Sequence, residues 1–426
     1  MNVLLVGDND VLCASFGGHN LHSYLRDAGL EANHLVVDKL SNDVFTYIFT
    51  QEHSNIAVEL LKSKLFLEAD IVHIHLIHNT TFDINYLPLL ASLKPVVITL
   101  HDPFFLGGHC IHHFDCNKWQ SQCFDCEYLE VPFCIKQDDT ALSFLQKKLA
   151  IGNSNICAIV ASHWMYERAS LSPIWKNKTI FHLPFGVDQQ VFCPKDKLEA
   201  KKKLGISPDS FVIMVRTQNT LFKGLDLVKE ALGVLSAQKK ITLITVAEKG
   251  LLAEFATQYT VLDFGWVCEQ AKLAELYQAC DVLLMPSRQE AFGMMAIEAM
   301  SCATCVLALD AEGSALKTVI NAPECGIAAS RDDLAKILQG LVDAPALCQQ
   351  YGIKALKYAK THYEKDNYVK NMIEIYTKIV MQHTPDINAN VVIAQIAKHC
   401  AEPPTLTIPK KTLKKRLRNF LHKFGI

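Results

Sequence analysis

Short apolar runs, each closed by polar residues and followed by a helical pattern, recur along this 426-residue chain. The first, Asn2 to Val6, leads through a glycine turn into a helical pattern that closes at Gly29. The later runs cover residues 70–75, 95–100, 156–161, 210–215, 241–246, 281–285 and 304–308. Continuous apolar strands that alternate with helices predict parallel sheets covered by helices on both faces.

The length indicates more than one folded unit, since a domain holds roughly 150 residues. The strand series divides into two doubly wound domains, over residues 1–185 and 186–383, and the last helix of the second can cross back to the first. A proline-containing stretch at 384–409 is typical of a linker, and residues 410–426 form a separate basic tail.

Composition excludes several classes of protein. Half of the residues are apolar, a fifth are charged and the net charge is −2, which indicates a globular chain without a field that would attract nucleic acid. The sequence contains no run of about 18 uncharged apolar residues, so no membrane span is expected. Asp8 interrupts the apolar start before a signal-type segment could form. The fifteen cysteines are therefore expected to be reduced thiols in a cytoplasmic protein.

The segment from Pro286 to Met300 is the most informative motif, because it follows a strand and opens a helix. Its first residues are expected at the carboxyl end of the sheet, where doubly wound domains bind ligands and helix amides face phosphates. Glu290 precedes the helix and Glu298 lies inside it, so the two carboxylates can contact different parts of one long ligand. The purely structural alternative for this segment is an amphipathic helix whose glutamates face solvent.

This segment resembles the Glu-x7-Glu signature of retaining glycosyltransferases of family 4, which have the GT-B fold. The resemblance implies two Rossmann-like domains that face each other across a cleft. It also implies that Glu290 contacts the donor sugar, that Glu298 holds the ribose hydroxyls, and that Phe292 and Gly293 contribute backbone contacts.

A second match to the family lies at Arg216 and at the Lys223-Gly224 turn. The resemblance implies that these cations neutralise the donor diphosphate. A diphosphate leaving group needs fixed cations because negative charge builds on the departing oxygen. The alternative for Lys223 is a surface lysine before a turn glycine.

Weaker matches lie elsewhere in the chain. Gly17 and Gly18 resemble the family's first glycine loop, His101 resembles a histidine beside the reacting sugar, and Gly265 with Trp266 resembles a donor-side loop. Each has a purely structural alternative, a turn or a hydrogen-bonded buried histidine. After the strand at 304–308 the chain departs from the family's glycine-rich pattern and keeps only Gly313.

The resemblance implies a hexosyltransferase-type enzyme that moves a sugar from a nucleotide-diphosphate donor to a hydroxyl of a surface-glycan or lipid-linked acceptor. No cofactor is expected for catalysis, because the two cations make a metal unnecessary. The alternatives are a sugar-nucleotide epimerase or hydrolase of the same fold and a non-catalytic sugar-binding subunit. An NAD oxidoreductase is disfavoured, since no G-x-G-x-x-G follows a predicted strand.

Residues 107–134 form a cysteine-rich loop of the first domain, with candidate zinc ligands Cys110, Cys116, Cys123 and Cys126. The closing Cys-x2-Cys pair is of the kind that structural zinc sites use, although the wider spacing matches no common zinc module. Buried free thiols or a disulfide remain alternatives. An all-thiolate site leaves no open position for substrate, so no catalytic role is expected.

The tail from Lys410 to Ile426 holds seven Lys or Arg and no acid, with apolar residues at helical spacing. Such a basic amphipathic helix is typical of peripheral binding to an anionic membrane surface. The alternative is a helix that docks on the body of the protein. Without an aromatic stacking platform, nucleic acid is not an expected partner.

Overall fold

The computed structural model describes residues 1–10, 18–50, 55–78, 80–130, 135–236 and 239–385. The described chain divides into two compact units. Of the described residues, unit 1 holds Met1–Leu183 together with residues 369–385, and unit 2 holds Pro184–Tyr368. Gly17, Cys134 and the predicted basic tail lie outside the described residues, as does the predicted linker from residue 386 onward.

Unit 1 is built on a seven-stranded sheet of order β3-β2-β1-β4-β5-β6-β7, in which every paired strand is parallel. The strands are β1 Asn2–Asn9, β2 Glu31–Asp38, β3 Thr46–Ile48, β4 Ile71–Ile74, β5 Val96–Thr99, β6 Ile156–Val160 and β7 Ile180–His182. The first strand is longer than the apolar run predicts, so Asp8 and Asn9 belong to it.

The helices of unit 1 cover this sheet. They are α1 His19–Asp27, α2 Ile56–Lys62, α3 Lys64–Glu68, α4 Leu87–Leu93, α5 Thr140–Gly152 and α6 His163–Leu171. Helix α14, Lys365–Gln382, starts in unit 2 and contributes its residues from Val369 onward to unit 1. Val3, Leu4, Leu5 and Val6 of β1 are fully buried, as expected for a strand covered on both faces.

Unit 2 is built on a six-stranded parallel sheet of order β10-β9-β8-β11-β12-β13. The strands are β8 Phe211–Thr217, β9 Ile241–Ala247, β10 Thr260–Asp263, β11 Val282–Met285, β12 Cys305–Leu309 and β13 Ile327–Ala329. The helices are α7 Lys197–Lys203, α8 Leu225–Val234, α9 Gln270–Ala279, α10 Met294–Ser301, α11 Leu316–Val319, α12 Leu334–Asp343 and α13 Pro345–His362.

Alternate residues of β8 form the core on one face of this sheet. Phe211, Ile213 and Val215 are buried against Val228 of α8 and Leu338 of α12. Burying one such aliphatic or aromatic side chain contributes roughly 1.5–3 kcal/mol. The apolar runs therefore become strands because helices cover both of their faces.

In each sheet the first strand lies in the interior and later strands flank it on both sides. This strand order determines where a ligand can bind. β8 has β9 on one side and β11 on the other, so the strand order reverses between β8 and β11, which is the switch point of the sheet, while all strands stay parallel. In open parallel sheets the crevice at the carboxyl ends of these central strands is the usual ligand site. The prediction of two doubly wound α/β domains is confirmed.

None of the helices in the described part of the chain combines the length and apolarity that crossing a bilayer requires.

Candidate functional site at the switch point of unit 2

The four charged residues predicted for the site of unit 2 lie near the carboxyl ends of the two central strands or on the helix after β11. Arg216 lies near the end of β8, and Lys223 ends the short 3-10 turn Leu221–Lys223 that follows it. Glu290 lies in the loop after β11, and Glu298 lies in α10. Because β8 and β11 are parallel neighbours, both loops leave the sheet at the same edge.

Lys223 and Glu290 form an ion pair, with 2.7 Å between Lys223 Nζ and Glu290 Oε2. Both side chains are largely buried, at 13% and 18% exposed. Burial lowers the pKa of Lys223, Glu290 opposes that change, and the neighbouring charge of Arg216 reinforces it. The structure thus brings together two side chains that the sequence analysis assigned separately, Lys223 to the diphosphate and Glu290 to the donor sugar.

Arg216 brings the second positive charge to the same group of side chains. Burial lowers its pKa, and Glu290 is the largest of the opposing charges, followed by Tyr277 and Glu298. Its guanidinium carbon lies 5.4 Å from the ring centre of Trp266, within cation–π range. Arg216 thus interacts with both predicted acids.

Glu298 is buried in α10 and accepts a hydrogen bond of 2.9 Å from the Tyr277 hydroxyl at Oε2. Burial raises the pKa of Glu298 to about 7, against the opposing effects of Tyr277 and Arg216. Its charge therefore changes in the neutral range. Sequence reasoning did not identify Tyr277, which belongs to α9 and carries no motif that links it to this carboxylate.

The loop that carries Lys223 is fastened to the loop that carries Glu290. The carbonyl of Phe222 accepts the backbone N–H of Arg288 at 2.8 Å and that of Gln289 at 3.3 Å. The Arg288 guanidinium also donates to both carboxylate oxygens of Asp226, at 2.7 and 2.6 Å. This bidentate ion pair was missed from the sequence, because Asp226 lies in the first turn of α8 and Arg288 in the loop after β11.

Gly224 is required where these loops meet. Its φ is 70°, and a Cβ there would lie 2.1 Å from the carbonyl oxygen of Pro286. We expect Gly224→Ala to lower the free energy of unfolding by at least about 2 kcal/mol, because both backbone strain and the clash must be relieved. Urea denaturation measures this change.

Gly233 supplies the matched control. It lies in α8, the helix that Gly224 caps, and a Cβ there would meet nothing within 4 Å. Gly233→Ala is expected to stabilise the protein by roughly 0.5–1 kcal/mol through helix propensity. Equal effects of the two substitutions would contradict the close approach of Gly224 to Pro286.

Phe292 and Gly293 stand directly before α10. The Phe292 side chain is buried, with its ring centre 5.2 Å from that of Phe185 and 5.9 Å from that of Tyr363, so only its backbone can reach a ligand. Gly293 is the N-cap with φ 100°, and no side chain caps the helix. The first amides of α10 are therefore available to an anion.

The loop after β12 supports Glu290 despite its departure from the family pattern. The backbone N–H of Glu290 donates to the Gly313 carbonyl at 3.1 Å, and that of Ala315 donates to the Glu290 carbonyl at 2.8 Å. A Cβ on Gly313 would lie 2.0 Å from the Gln289 amide nitrogen. The one glycine that remains is thus the one at which the two loops touch.

Gly265 holds the neighbouring loop in place. Its φ is 65°, and a Cβ there would lie 2.6 Å from Cε of Lys249. Its carbonyl accepts the N–H of Ala247, the last residue of β9, at 2.9 Å. This turn places Trp266 beside Arg216.

Several buried polar atoms around Arg216 have no hydrogen-bond partner among the described residues. They are Arg216 Nε, Gln218 Oε1, Thr220 Oγ1, Glu248 Oε1 and Trp266 Nε1. Buried polar groups in folded proteins are almost always satisfied, so such a set indicates a ligand that offers both donors and acceptors. A sugar nucleotide has both.

The remaining predicted site residues of the first domain belong to unit 1. Gly18 is the N-cap of α1 with φ 106°, and its carbonyl accepts the N–H of His22 at 2.8 Å. His101 follows β5, and its Nε2 lies 2.9 Å from Nδ1 of His75. Burial lowers the pKa of His101 to about 3, so it is neutral at physiological pH. Its role beside a reacting sugar stays a prediction.

The structure groups two of the four predicted zinc ligands. Cys110 and Cys126 lie together with His109, and their ligand atoms are within 4.8 Å of one another. These three residues line a small pocket of the loop, and Cys116 and Cys123 line it as well. Sequence reasoning did not count His109 as a ligand. The four candidate ligands Cys110, Cys116, Cys123 and Cys126 are free thiols. Cys268 is disulfide-bonded, which differs from the expectation that every cysteine is reduced.

Sequence comparison matches residues 196–358 to the family model described as "Glycosyl transferases group 1". A curated relative, D-inositol 3-phosphate glycosyltransferase 1 of Catenulispora acidiphila, is 30% identical over 193 residues, which are 41% of this chain and 46% of the relative. The corresponding protein of Thermomonospora curvata is 28% identical over 217 residues, 45% of this chain and 50% of the relative. This chain thus spans about half the length of these relatives.

Solved structures with the same architecture cover nearly the whole described chain. HepE of Anabaena, crystallised with UDP and glucose, has a TM-score of 0.62 at 15% identity over 89% of this chain and 100% of that one. WaaG, a glycosyltransferase involved in lipopolysaccharide biosynthesis, has a TM-score of 0.63 at 16% identity over 88% and 99%. Residues 196–358 are therefore similar to a glycosyl transferases group 1 domain, and the chain has the GT-B fold.

Proposed function

We propose that this protein is a retaining glycosyltransferase that moves a sugar from a nucleotide-diphosphate donor to a hydroxyl of a surface-glycan or lipid-linked acceptor. The donor binds at the carboxyl ends of β8 and β11 in unit 2. The observation that carries the proposal is the buried Lys223–Glu290 pair with Arg216 beside it, next to the uncapped start of α10. Two cations and free helix amides are suited to a diphosphate.

In the proposed reaction the bond between the anomeric carbon and the diphosphate oxygen breaks, and the acceptor oxygen bonds to that carbon. Lys223 and Arg216 stabilise the negative charge that develops on the departing diphosphate. The acceptor hydroxyl gives its proton to a departing phosphate oxygen, so no protein nucleophile is required. Glu290 both contacts the donor sugar and orients the Lys223 ammonium, to which it is bonded at 2.7 Å.

Glu298 is assigned to the ribose hydroxyls. An ionised carboxylate accepts hydrogen bonds from both hydroxyls of a diol, and Tyr277 holds the Glu298 carboxylate in position at 2.9 Å. The buried polar atoms near Trp266 are assigned to the base and the phosphates. The tail at 410–426 keeps its sequence-based assignment to an anionic membrane surface.

UDP-glucose is the first probe, because HepE of the same fold was crystallised in complex with it. At a concentration 100 times its Kd the donor is expected to stabilise the protein by about 2.7 kcal/mol, which raises the melting temperature by roughly 5–10 °C. Other nucleotide sugars follow in the same thermal-shift assay. No shift with any nucleotide sugar would contradict the proposal.

The pH dependence of donor binding tests the assignment of Glu298. Because its pKa is about 7 in the folded protein, its carboxylate is mostly ionised at pH 8 and mostly protonated at pH 6. Donor affinity is therefore expected to fall about tenfold from pH 8 to pH 6, one pKa unit on either side of the midpoint. The diphosphate of UDP-glucose does not itself titrate in this range.

Two variants control that titration. Glu298→Gln removes the ionisable group, so its donor affinity is expected to be low and independent of pH. Tyr277→Phe removes the hydroxyl that stabilises the carboxylate, so the midpoint is expected to move to higher pH. An unchanged pH profile in Glu298→Gln would assign the titration to another group.

Turnover separates transfer from the rival activities on this fold. A transferase releases UDP faster when an acceptor is added, and D-inositol 3-phosphate joins lipid-linked glycans in the acceptor panel because relatives are named for it. Donor conversion that no acceptor accelerates would support an epimerase or hydrolase. Donor binding without any turnover would support a non-catalytic sugar-binding subunit.

A further inference from the structure

The cysteine-rich loop of unit 1 has little regular structure of its own. Between Gly107 and α5, its described residues include a single 3-10 turn, Lys118–Gln120. Loops longer than about 12–15 residues without secondary structure are uncommon in compact domains unless something else orders them. The loop nevertheless buries Cys110 and Trp119, so its interior is organised by side chains.

His109, Cys110 and Cys126 bring their ligand atoms together in this interior. Cys110 Sγ lies 3.6 Å from His109 Nδ1. With Zn–S near 2.3 Å, Zn–N near 2.0–2.1 Å and a tetrahedral angle, a sulfur and a nitrogen ligand lie about 3.6 Å apart. The observed distance between Cys110 Sγ and His109 Nδ1 therefore matches the ligand-to-ligand distance of a tetrahedral zinc site.

The second nitrogen of His109 is independently oriented. Its Nε2 lies 3.1 Å from the backbone carbonyl of Tyr128, a partner that can only accept, so Nε2 carries the hydrogen. This tautomer leaves the lone pair on Nδ1, the atom that faces Cys110. Metal-ligating histidines almost always donate their other ring N–H to a carbonyl or carboxylate in this way.

Two more thiols line the same pocket, Cys116 and Cys123. Cys123 Sγ accepts a hydrogen bond of 3.2 Å from the backbone N–H of Gly108, which favours a thiolate sulfur. Cys123 is also separated from Cys126 by two residues, the spacing of zinc-binding pairs. Together with His109, Cys110 and Cys126, these two thiols bring the possible protein ligands to at least five, and a tetrahedral site needs four.

A buried cation lies beneath the loop. Lys147 is fully buried, and its Nζ donates to the carbonyls of Phe104, Gly107 and Gly108 at 2.6, 3.0 and 2.7 Å. The groups that face it are the thiols of Cys123 and Cys110 and the carboxyl groups of Asp102 and Asp139. Three thiolates around Zn²⁺ would carry a net charge of −1, opposite to that of the buried ammonium.

We propose that His109 Nδ1, Cys110 Sγ and Cys126 Sγ bind a structural Zn²⁺, with the thiolate of Cys116 or Cys123 as the fourth ligand. Four protein ligands close the coordination sphere, so the ion orders the loop and takes no part in transfer. The proposal is independent of the sugar-transfer activity.

Metal analysis of the full chain, purified under reducing conditions without chelator, is the test. We expect about one zinc per chain by mass spectrometry of the metal content. Replacement of zinc by Co²⁺ is expected to give the thiolate charge-transfer and ligand-field bands of a tetrahedral site. A chain without bound metal, or Co²⁺ spectra of an octahedral oxygen site, would overturn the proposal.

Single substitutions identify the ligands. Cys110→Ser, Cys126→Ser and His109→Ala are each expected to lower the zinc content at least tenfold, whereas Cys157→Ser, a partly buried thiol on β6, is expected to keep it. Of Cys116→Ser and Cys123→Ser, one is expected to lose the metal. Full zinc in both would refute four-coordinate binding.

Two measurements keep the test decisive if a variant folds poorly. Chelation of the wild-type protein is expected to increase the number of loop thiols that react with a maleimide, and added zinc is expected to restore their protection. Mass spectrometry of the unreduced wild-type protein detects a disulfide within the loop. A stoichiometric loop disulfide would overturn the zinc assignment.

Discussion

Lys223→Ala is expected to slow sugar transfer by roughly 10²–10³-fold, the cost of removing one fixed group that stabilises a developing anion. The effect is expected in kcat, because the charge on the diphosphate oxygen develops only as the glycosidic bond breaks. Lys223 can act there because Glu290 holds its ammonium at 2.7 Å in a largely buried position. UDP release in the presence of acceptor measures the rate.

Lys229→Ala is the matched control for this variant. Lys229 lies in the same unit and forms an ion pair of 2.8 Å with Glu254, but both partners are more exposed, at 39% and 53%. Its loss is expected to leave kcat unchanged. Because Lys223→Ala removes the ammonium that pairs with Glu290, thermal shift with UDP-glucose checks that the variant still binds donor. A folded variant with kcat within about threefold of wild type would contradict the assignment.

Acidification from pH 7 to pH 5 is expected to destabilise unit 1, and two buried histidines alone contribute about 4 kcal/mol to that loss. Burial lowers the pKa of His73 and of His101 to about 3, against 6.5 in the unfolded chain. The unfolded state therefore binds protons that the folded state refuses, and stability is lost as pH falls below 6.5. Each histidine loses about 2 kcal/mol over the 1.5 pH units between 6.5 and 5.

Burial keeps these rings neutral in the folded state, and both ring nitrogens of His73 have hydrogen-bonding neighbours. His73 Nδ1 lies 2.5 Å from the Tyr376 hydroxyl of α14, and its Nε2 lies 2.7 Å from Thr99 Oγ1. Burial also places the pKa values of His34 and His75 well below 6.5, which adds to the effect. Protonation at any of these positions places an uncompensated charge in the core of unit 1.

Denaturation followed by tryptophan fluorescence measures this loss. A Trp266→Phe background leaves fluorescence only from Trp119, Trp164 and Trp175, all in unit 1. His163→Gln replaces a histidine that is 62% exposed and is expected to leave the pH dependence unchanged. His73→Asn with His101→Asn is expected to flatten it. Equal stability of the parent at pH 7 and pH 5 would contradict the buried, neutral state of these rings.

The apolar runs predicted the central strands of both sheets, because a strand covered on two faces is apolar throughout. Edge strands were missed. β3 and β7 have three residues each and β10 contains Thr260 and Asp263, so none has an apolar run long enough to stand out. β2 was missed because Asn33 and His34 interrupt its pattern, although His34 is fully buried.

The candidate site was predictable where its residues form a local pattern. Lys223 and Glu290 stand close to strand ends and glycines that are visible in the sequence. Glu298 belongs to the same local motif as Glu290. Tyr277, Asp226 and Arg288 were not predictable, because each acts through a partner in another element. His109 was passed over because its ligand role depends on the carbonyl of Tyr128, which is 19 residues away.

The order of apolar and polar residues by itself determined two parallel-sheet units and the loops that carry the charged groups, since these depend on periodicity along the chain. Tertiary structure alone decided which of those groups meet. The Lys223–Glu290 pair, the pKa of Glu298 and the joining of His109 to Cys110 and Cys126 all arise from burial and from contacts between segments distant in sequence. Electrostatic and coordination energies depend on distance and desolvation, which a linear pattern does not contain.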